Sequence, residues 1–259
     1  MVWISFLVAS ALLALSACSG RGDGGGGTGP GPASSFAIGG TTSGLSGTVV
    51  LQNNGGDKLT ISVNGGFTFA AALTNSSPYA VTVLAQPAGQ TCTVANGVGT
   101  LAGANITNVT VTCAVNTFTV GGTISGLSGT VVLRNNGGND LTVSANGSFT
   151  FSAPVAQGSP YAVTVLTQPA GQSCSVANGT GTVAGANVSS VTVSCATNTF
   201  TVGGTISGLS GTVVLQNNGG DNLTISVNGS FAFAAALINA SPYAVTVLAQ
   251  PAGQTCTVA

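Results

Sequence analysis

The sequence predicts an all-β protein, a tandem array of small antiparallel β-sandwich modules. The first observation is a repeat, because closely similar segments begin at Phe36, Phe118 and Phe200, spaced 82 residues apart without insertions. The second is a series of short Val/Thr/Phe runs with period-two alternation, separated by Gly- and Asn-rich turns. The third is the lack of any segment with helical periodicity. A period of 82 residues is too long for a solenoid and suits a domain that buries its own core.

The first repeat, residues 36–117, divides into about seven strands with turn signals at the spacing typical of a sandwich. The turn cluster at residues 53–57, Asn-Asn-Gly-Gly-Asp, contains residues that tolerate left-handed backbone angles. Asn64-Gly65 is a hairpin turn signal between two strands. The predicted strands are residues 36–38, 48–52, 59–63, 67–69, 79–84, 91–94 and 106–113.

The last predicted strand has the clearest alternation of the seven. Val109 and Val111 lie on one of its faces, and Thr110 and Thr112 lie on the other. Period-two alternation marks a strand with one buried and one solvated face. We therefore expect the two valines to lie in the core.

The N-terminus carries an export signal in the sequence. Residues 2–14 form an apolar run that is shorter than the roughly 20 residues of a transmembrane helix, which is typical of a signal peptide. Leu15-Ser16-Ala17-Cys18 follows and resembles the lipobox of bacterial lipoproteins. The resemblance implies that residues 1–17 are removed, that the thiol of Cys18 carries lipid, and that the membrane is a partner through this anchor. The alternative is an ordinary secretory signal with a chance cysteine.

Residues after Cys18 predict the location and a tether. Ser19 resembles the outer-membrane pattern of enteric lipoproteins, so we expect an exported protein anchored at the outer membrane or cell surface. Residues 18–35 are dominated by glycine and predict a flexible spacer. The predicted domains then follow as residues 36–117, 118–199 and 200–259, and the third repeat is incomplete.

One part of each repeat resembles a known family. An apolar strand and a polar turn lead to Asn-Gly-x-Phe-x-Phe, and a short loop then leads to Tyr-x-Val-x-Val. This pattern, over residues 47–84 of the first copy, resembles the prealbumin-like sandwich repeats of bacterial surface proteins, including collagen-adhesin B-type modules. The resemblance implies a prealbumin-like sandwich, and an immunoglobulin-like topology is the alternative.

The cysteines of the repeats are predicted to form structural disulfides. In each of the first two repeats the two cysteines are 21 residues apart, and in an exported protein such thiols are expected to pair. Each bridge would stabilise its repeat by about 3 kcal/mol. A metal site is the alternative, but the chain has no histidine and no Cys-x-x-Cys. The residues concerned are Cys92 and Cys113 in the first repeat and Cys174 and Cys195 in the second.

The third repeat contains Cys256 without a partner at the same spacing. By the register of the other two repeats, its partner would lie beyond Ala259. We therefore expect Cys256 to be unpaired through truncation and the sequence to be a fragment of a longer protein.

Composition argues against several functions. Only 3% of the residues are charged and three are basic, so the clustered Lys and Arg of a nucleic-acid interface are lacking. The chain has no histidine or glutamate to act as a general acid or base, and we expect no enzyme, cofactor, metal or small-molecule substrate. A calcium site at Asn53, Asn54 and Asp57 is the best remaining site hypothesis, although one carboxylate is few for calcium.

Three functions remain open. The first is a lipid-anchored structural stalk, whose modules are joined by short connectors such as residues 114–117 and hold a distal region away from the cell. The second is an adhesin or glycan-binding module that binds a surface protein or glycan through loops at the sandwich ends. The third is the non-catalytic N-terminal part of a larger exported enzyme.

Overall fold

The computed structural model describes residues 34–259, and every regular element within them is a β-strand. The strands of the first repeat are β1 (Ser35–Phe36), β2 (Ile38–Ser43), β3 (Val49–Asn53), β4 (Asp57–Ile61), β5 (Gly65–Thr68), β6 (Leu73–Thr74), β7 (Pro78–Ala85), β8 (Gln90–Ala95), β9 (Val98–Thr100) and β10 (Ile106–Val115).

The second repeat has the same ten elements in the same order. They are β11 (Thr117–Phe118), β12 (Val120–Ser125), β13 (Val131–Asn135), β14 (Asn139–Val143), β15 (Gly147–Thr150), β16 (Val155–Ala156), β17 (Pro160–Thr167), β18 (Gln172–Ala177), β19 (Thr180–Thr182) and β20 (Val188–Thr197). The strands of the third repeat are β21 (Thr199–Phe200), β22 (Gly203–Ile206), β23 (Val213–Asn217), β24 (Asp221–Ile225), β25 (Gly229–Ala232), β26 (Leu237–Ile238) and β27 (Val245–Ala249).

Two four-stranded sheets form the first repeat and face each other across its core. Their strand orders are β5-β2-β10-β8 and β4-β3-β7-β9, and the short strands β1 and β6 pair separately. The second repeat has the matching orders β15-β12-β20-β18 and β14-β13-β17-β19. The predicted all-β fold, a tandem array of β-sandwich modules, is therefore confirmed.

The core of each module follows from the alternation of its strands. Val109 and Val111 are fully buried in β10, whereas Thr110 and Thr112, which alternate with them, are exposed, as the sequence pattern predicts. These valines join one cluster with residues of the opposite sheet, such as Leu51 of β3. The second repeat has a cluster of its own. Each complete repeat therefore buries an apolar core between its two sheets.

The turn at residues 53–57 is a hairpin, as predicted. Asn53 pairs with Asp57 across β3 and β4, and the Gly56 N–H donates to the Asn53 carbonyl at 3.2 Å. Asn54 has φ 51° and Gly55 has φ 73°, the left-handed conformation that these residue types tolerate.

The predicted hairpin at Asn64-Gly65 is wrong. Strand β4 pairs with β3, whereas β5 pairs with β2 in the opposite sheet, so the chain crosses between sheets at this point. The Asn64 side chain accepts from the Leu45 N–H at 2.8 Å and donates to the Leu45 carbonyl at 3.0 Å. This asparagine therefore holds two separate segments together, which the dipeptide alone does not reveal.

In the first two repeats the strand near the start of the repeat is longer than expected, and one of its two neighbours in the sheet is parallel to it. The predicted strand at residues 36–38 is divided between the end of β1 and the start of β2, and β2 continues to Ser43. Strand β2 pairs with β10 in parallel, while the other ladders of the repeat are antiparallel. A Cβ at Gly40 would collide with the Val109 carbonyl, so glycine permits this close approach of the two strands. Glycine also lowers strand propensity, which hides β2 in the sequence.

The third repeat, within residues 200–259, has part of this architecture. Its sheets are β22-β25, β24-β23-β27 and the short pair β21-β26, without counterparts of β8, β9 and β10 in the described residues. Tyr79 and Tyr161 are buried in the first two repeats, but the equivalent Tyr243 is 67% exposed. The side chains of Val202, Leu215 and Phe231 line an open groove in this repeat.

Candidate functional site

The structure pairs the cysteines of the first two repeats within each repeat. Cys92 is bonded to Cys113, and Cys174 is bonded to Cys195. Each pair joins directly opposed residues of the last two strands of one sheet, β8 with β10 and β18 with β20. Cys256 is free within residues 34–259. The predicted lipid-attachment residue, Cys18, lies outside the described residues.

A glutamine next to each disulfide was not singled out from the sequence. The Gln86 side chain accepts from the Cys92 N–H at 2.7 Å and donates to the Cys92 carbonyl at 3.0 Å. Gln168 makes the same two bonds to Cys174. The recurrence of glutamine at one position of every copy is the signal that could have identified it. These bonds fix the strand that carries the first cysteine of each bridge.

The candidate calcium ligands have structural roles in the hairpin. The Asp57 carboxylate accepts from the Ala71 N–H at 3.0 Å, and Asn53 accepts from the Ala80 N–H at 3.1 Å. The Asn54 amide donates to the Pro78 carbonyl at 3.0 Å. Among residues 34–259 there is no group of three or more His, Cys, Asp and Glu side chains that could hold a metal ion. These hydrogen bonds are sufficient to explain the polar side chains of Asn53, Asn54 and Asp57.

All charged side chains of residues 34–259 lie on one hairpin of each repeat, β3–β4 or its counterparts. In the second repeat Arg134 and Asp140 form a two-pronged ion pair, with N–O distances of 2.6 and 2.8 Å. The hydrogen bond from Arg134 lowers the pKa of the Asp140 carboxyl from its ordinary value. The equivalent pair in the third repeat is uncharged, Gln216 and Asn222, joined at 2.8 Å. The remaining surface of residues 34–259 has no charged side chain.

The connection between the first two repeats is a single residue. Strand β10 ends at Val115 and β11 begins at Thr117, so Asn116 alone separates them. The connector is short, as predicted, but the predicted bounds, residues 114–117, are wrong, because three of these residues belong to strands. Short strand β11 pairs with β16 of its own repeat. The polypeptide thus passes almost directly from the last strand of one module into the first strand of the next.

Asn116 is hydrogen-bonded to both modules. Its N–H donates to the Gly89 carbonyl at 2.9 Å, and its side chain accepts from the Thr91 hydroxyl at 2.7 Å, both in the first repeat. Its carbonyl accepts from the Gln157 N–H of the second repeat at 2.8 Å. These bonds hold the connector on both sides and restrict its backbone.

The second junction has the same contacts. The Asn198 N–H donates to the Gly171 carbonyl at 2.9 Å, and its side chain accepts from the Ser173 hydroxyl at 2.7 Å. The Asn239 N–H of the third repeat donates to the Asn198 carbonyl at 2.7 Å. At the start of the first repeat, the Asn75 N–H donates to the Ser34 carbonyl at 3.3 Å. A common hydrogen-bonding scheme therefore links each module to the residue that precedes it.

The junctions also cover loops at the sandwich ends. Gly89 lies against the side chain of Gln157, with 3.6 Å between the Gln157 amide carbon and an ideal Cβ at position 89. Gly171 lies against the side chain of Asn239 in the same way. Gln157 and Asn239 belong to the loop that varies most visibly among the copies, which reads Asn-Ser-Ser, Gln-Gly-Ser and Asn-Ala-Ser. At the two internal junctions this variation occurs where modules touch each other.

No helix in the described residues is long and apolar enough to span a membrane.

Comparisons with known proteins find the fold among solved structures. No protein-family model and no curated protein matches the chain. The Bacillus anthracis TIE protein matches with a TM-score of 0.52 at 12% identity, over 84% of this chain and 46% of that one. The chain thus spans less than half the length of the TIE protein. Two B repeat units of the collagen binding protein (CNA) of Staphylococcus aureus match with a TM-score of 0.32 at 14% identity, covering 85% of this chain and 71% of that one. The likeness to the TIE protein shows the fold alone.

Proposed function

We propose that the chain is a structural stalk of an exported bacterial surface or periplasmic protein, anchored by lipid at Cys18 and holding a distal region away from the membrane. The single observation that supports it best is the hydrogen-bonded one-residue connector between modules. A flexible string of domains needs a longer linker with few contacts, because each free residue adds conformational freedom. Asn116 is instead bonded to both neighbours, and Asn198 repeats the arrangement.

The alternative of binding through loops at the sandwich ends has less support. At both internal junctions the loops at facing ends contact the adjoining module, through Gly89 with Gln157 and through Gly171 with Asn239. Loops used in this way are not free for a surface protein or glycan. The third candidate, the non-catalytic part of a larger enzyme, has no specific observation in its favour.

The stalk proposal is tested by measuring the distance between two modules. Spin labels placed by unnatural amino acids at Thr60 and Thr142, equivalent exposed positions of the first two repeats, report this distance by pulsed electron resonance. We expect a single narrow distribution. Insertion of Gly-Gly-Ser after Asn116 should broaden it, because the connector then lacks its bonds on one side.

The matched control inserts the same three residues after Gly55, at the tip of an exposed hairpin. This insertion leaves the junction intact and should leave the distribution narrow. A distribution in the unaltered protein as broad as that of the Asn116 insertion would overturn the semi-rigid stalk.

The anchor is tested separately in cells. We expect Cys18→Ser to release the protein from the membrane fraction and to abolish labelling with a fatty-acid analogue. An unaltered membrane fraction for the Cys18→Ser variant would refute lipidation at this residue. That result would leave the junction measurement unaffected.

A further inference from the structure

The parallel pairing of β2 with β10, and of β12 with β20, has a mechanical consequence for the two complete modules. After the short strand β1, the chain enters the main sheet of the first module at the start of β2, and it leaves the module at the end of β10. These two strands are parallel neighbours, with paired residues that run from Ile38 with Ile106 to Ser43 with Thr112. In the second module β12 and β20 have the same relation. Tension along the chain therefore pulls the two strands in opposite directions along their own axes.

This loading differs from the opening of a hairpin. When parallel strands are pulled apart from opposite ends, their ladder is loaded in shear and all five residue pairs share the force. When two strands are pulled from the same end, the pairs carry the force one after another. Because the rate of forced unfolding depends on the barrier to rupture, a ladder that shares the load resists higher force.

Further bonds strengthen the start of this ladder. The Asn105 side chain accepts from the Ala37 N–H at 2.9 Å, and the Ile106 N–H donates to the Ala37 carbonyl at 3.0 Å. Asn187 and Val188 make the same two bonds to Thr119 in the second module. Each asparagine thus extends the contact between the entering and leaving strands by one side chain.

The disulfide limits how far a module can extend. Cys113 lies near the end of β10 and is bonded to Cys92, so the chain between them cannot be drawn out while the bond is intact. The two cysteines are 21 residues apart, which at about 3.5 Å per extended residue corresponds to roughly 7 nm of chain per module. The rest of the module can extend, but this segment stays closed.

We propose that the complete modules are force-bearing units, in which the parallel ladder of β2 with β10, or of β12 with β20, is a shear clamp and the disulfide limits extension after the clamp breaks. The clamp is a property of each of the two complete modules, and its use in the cell rests on the stalk function proposed above. The connectors transmit load from one clamp to the next, because Asn116 alone separates β10 from β11.

The test is single-molecule force spectroscopy on the whole chain. Handles at the two chain ends load both clamps in shear. In a second arrangement, one handle is at the N-terminal end and the other is attached by an unnatural amino acid at Ala104, an exposed residue of the loop before β10. This second arrangement pulls β2 and β10 from the same end and peels them apart. We expect the first module to unfold at several-fold higher force in the end-to-end arrangement.

Two alanine variants, one at Asn105 and one at Asn108, provide a test and its matched control. Asn105→Ala removes a bond between the strands and should lower the end-to-end unfolding force of the first module. Asn108→Ala changes a residue of β10 whose side chain makes no hydrogen bond within residues 34–259, and it should leave the force unchanged. The unaltered second module in the same molecule is an internal reference.

Reduction tests the limit on extension. Addition of dithiothreitol should lengthen the unfolding step of each complete module by about 7 nm, the length of the released segment. Equal forces in the end-to-end and peeling arrangements would refute the shear clamp, and an unchanged step after reduction would refute the limit. A broad spin-label distribution together with a large difference between arrangements would refute the stalk and leave the clamp standing.

Discussion

Replacement of Thr42 by isoleucine should stabilise the first repeat. Thr42 lies in β2, is 3% exposed, and its hydroxyl has no hydrogen-bond partner within residues 34–259. The equivalent residue of the second repeat, Ile124, is equally buried at 3%. A buried hydroxyl without a partner costs about 1–3 kcal/mol, and each additional buried methylene contributes about 0.8 kcal/mol. Extra volume in a packed core has a cost of its own, so we expect a net gain of about 1–2 kcal/mol.

The reciprocal change in the second repeat should have a larger effect. Ile124→Thr removes apolar volume and introduces an unpaired hydroxyl, so the two losses add and the free energy of unfolding should fall by about 3 kcal/mol. The comparison is informative because the two repeats share one fold. A repeat that has isoleucine at this position thus acts as a reference for one that has threonine.

Hydrogen exchange measured by mass spectrometry on the whole chain checks both changes. Amides of β10 and β20 lie in the cores of the two repeats and report the free energy of opening of each repeat separately. Thr42→Ile should raise the free energy of opening measured at β10 and leave that at β20 unchanged. Ile124→Thr should lower the free energy of opening measured at β20 and leave that at β10 unchanged. If Thr42→Ile leaves β10 unchanged or lowers its protection, the account of the buried hydroxyl is refuted.

Two further predictions concern the second repeat. Gly122→Ala should destabilise it by about 1–3 kcal/mol in thermal unfolding, because the new Cβ would collide with the Val191 carbonyl, while Gly138→Ala, which faces open space, should cost much less. Because Arg134 lowers the pKa of Asp140, the ion pair contributes stability above the ordinary carboxyl pKa of about 4, and this contribution is lost as pH falls through the lower folded value. Asp140→Asn should flatten that acid dependence of hydrogen exchange, and an unchanged profile would count against the pair.

The sequence predicts a structural feature correctly where the interaction that decides the feature lies between residues close together in the chain. The alternation of Val109 and Val111 with threonines predicts the buried face of β10, because side chains of a strand point to opposite sides in turn. The hairpin at Asn54-Gly55 is predicted for a similar reason, because left-handed backbone angles select those residue types. In both cases the deciding interaction lies within a few residues of chain.

Other features were missed because their partners are distant in sequence. The dipeptides Asn54-Gly55 and Asn64-Gly65 look alike, yet the first closes a hairpin and the second lies where the chain crosses between sheets. What separates them is the bond of Asn64 to Leu45, 19 residues away. Strand β2 was underestimated because glycine is a poor strand former unless a second strand must approach closely.

The sequence by itself determined the repeat, the all-β class and the disulfide pairing within the first two repeats of this protein. Each of these depends on a periodic pattern: the 82-residue spacing, the two-residue alternation, and the 21-residue interval between cysteines. The tertiary structure decided which strands lie side by side, and with it the parallel pairing of β2 with β10 and the bonded connector at Asn116. Those features join residues that are far apart along the chain, and only the closure of both sheets around one core brings them into contact.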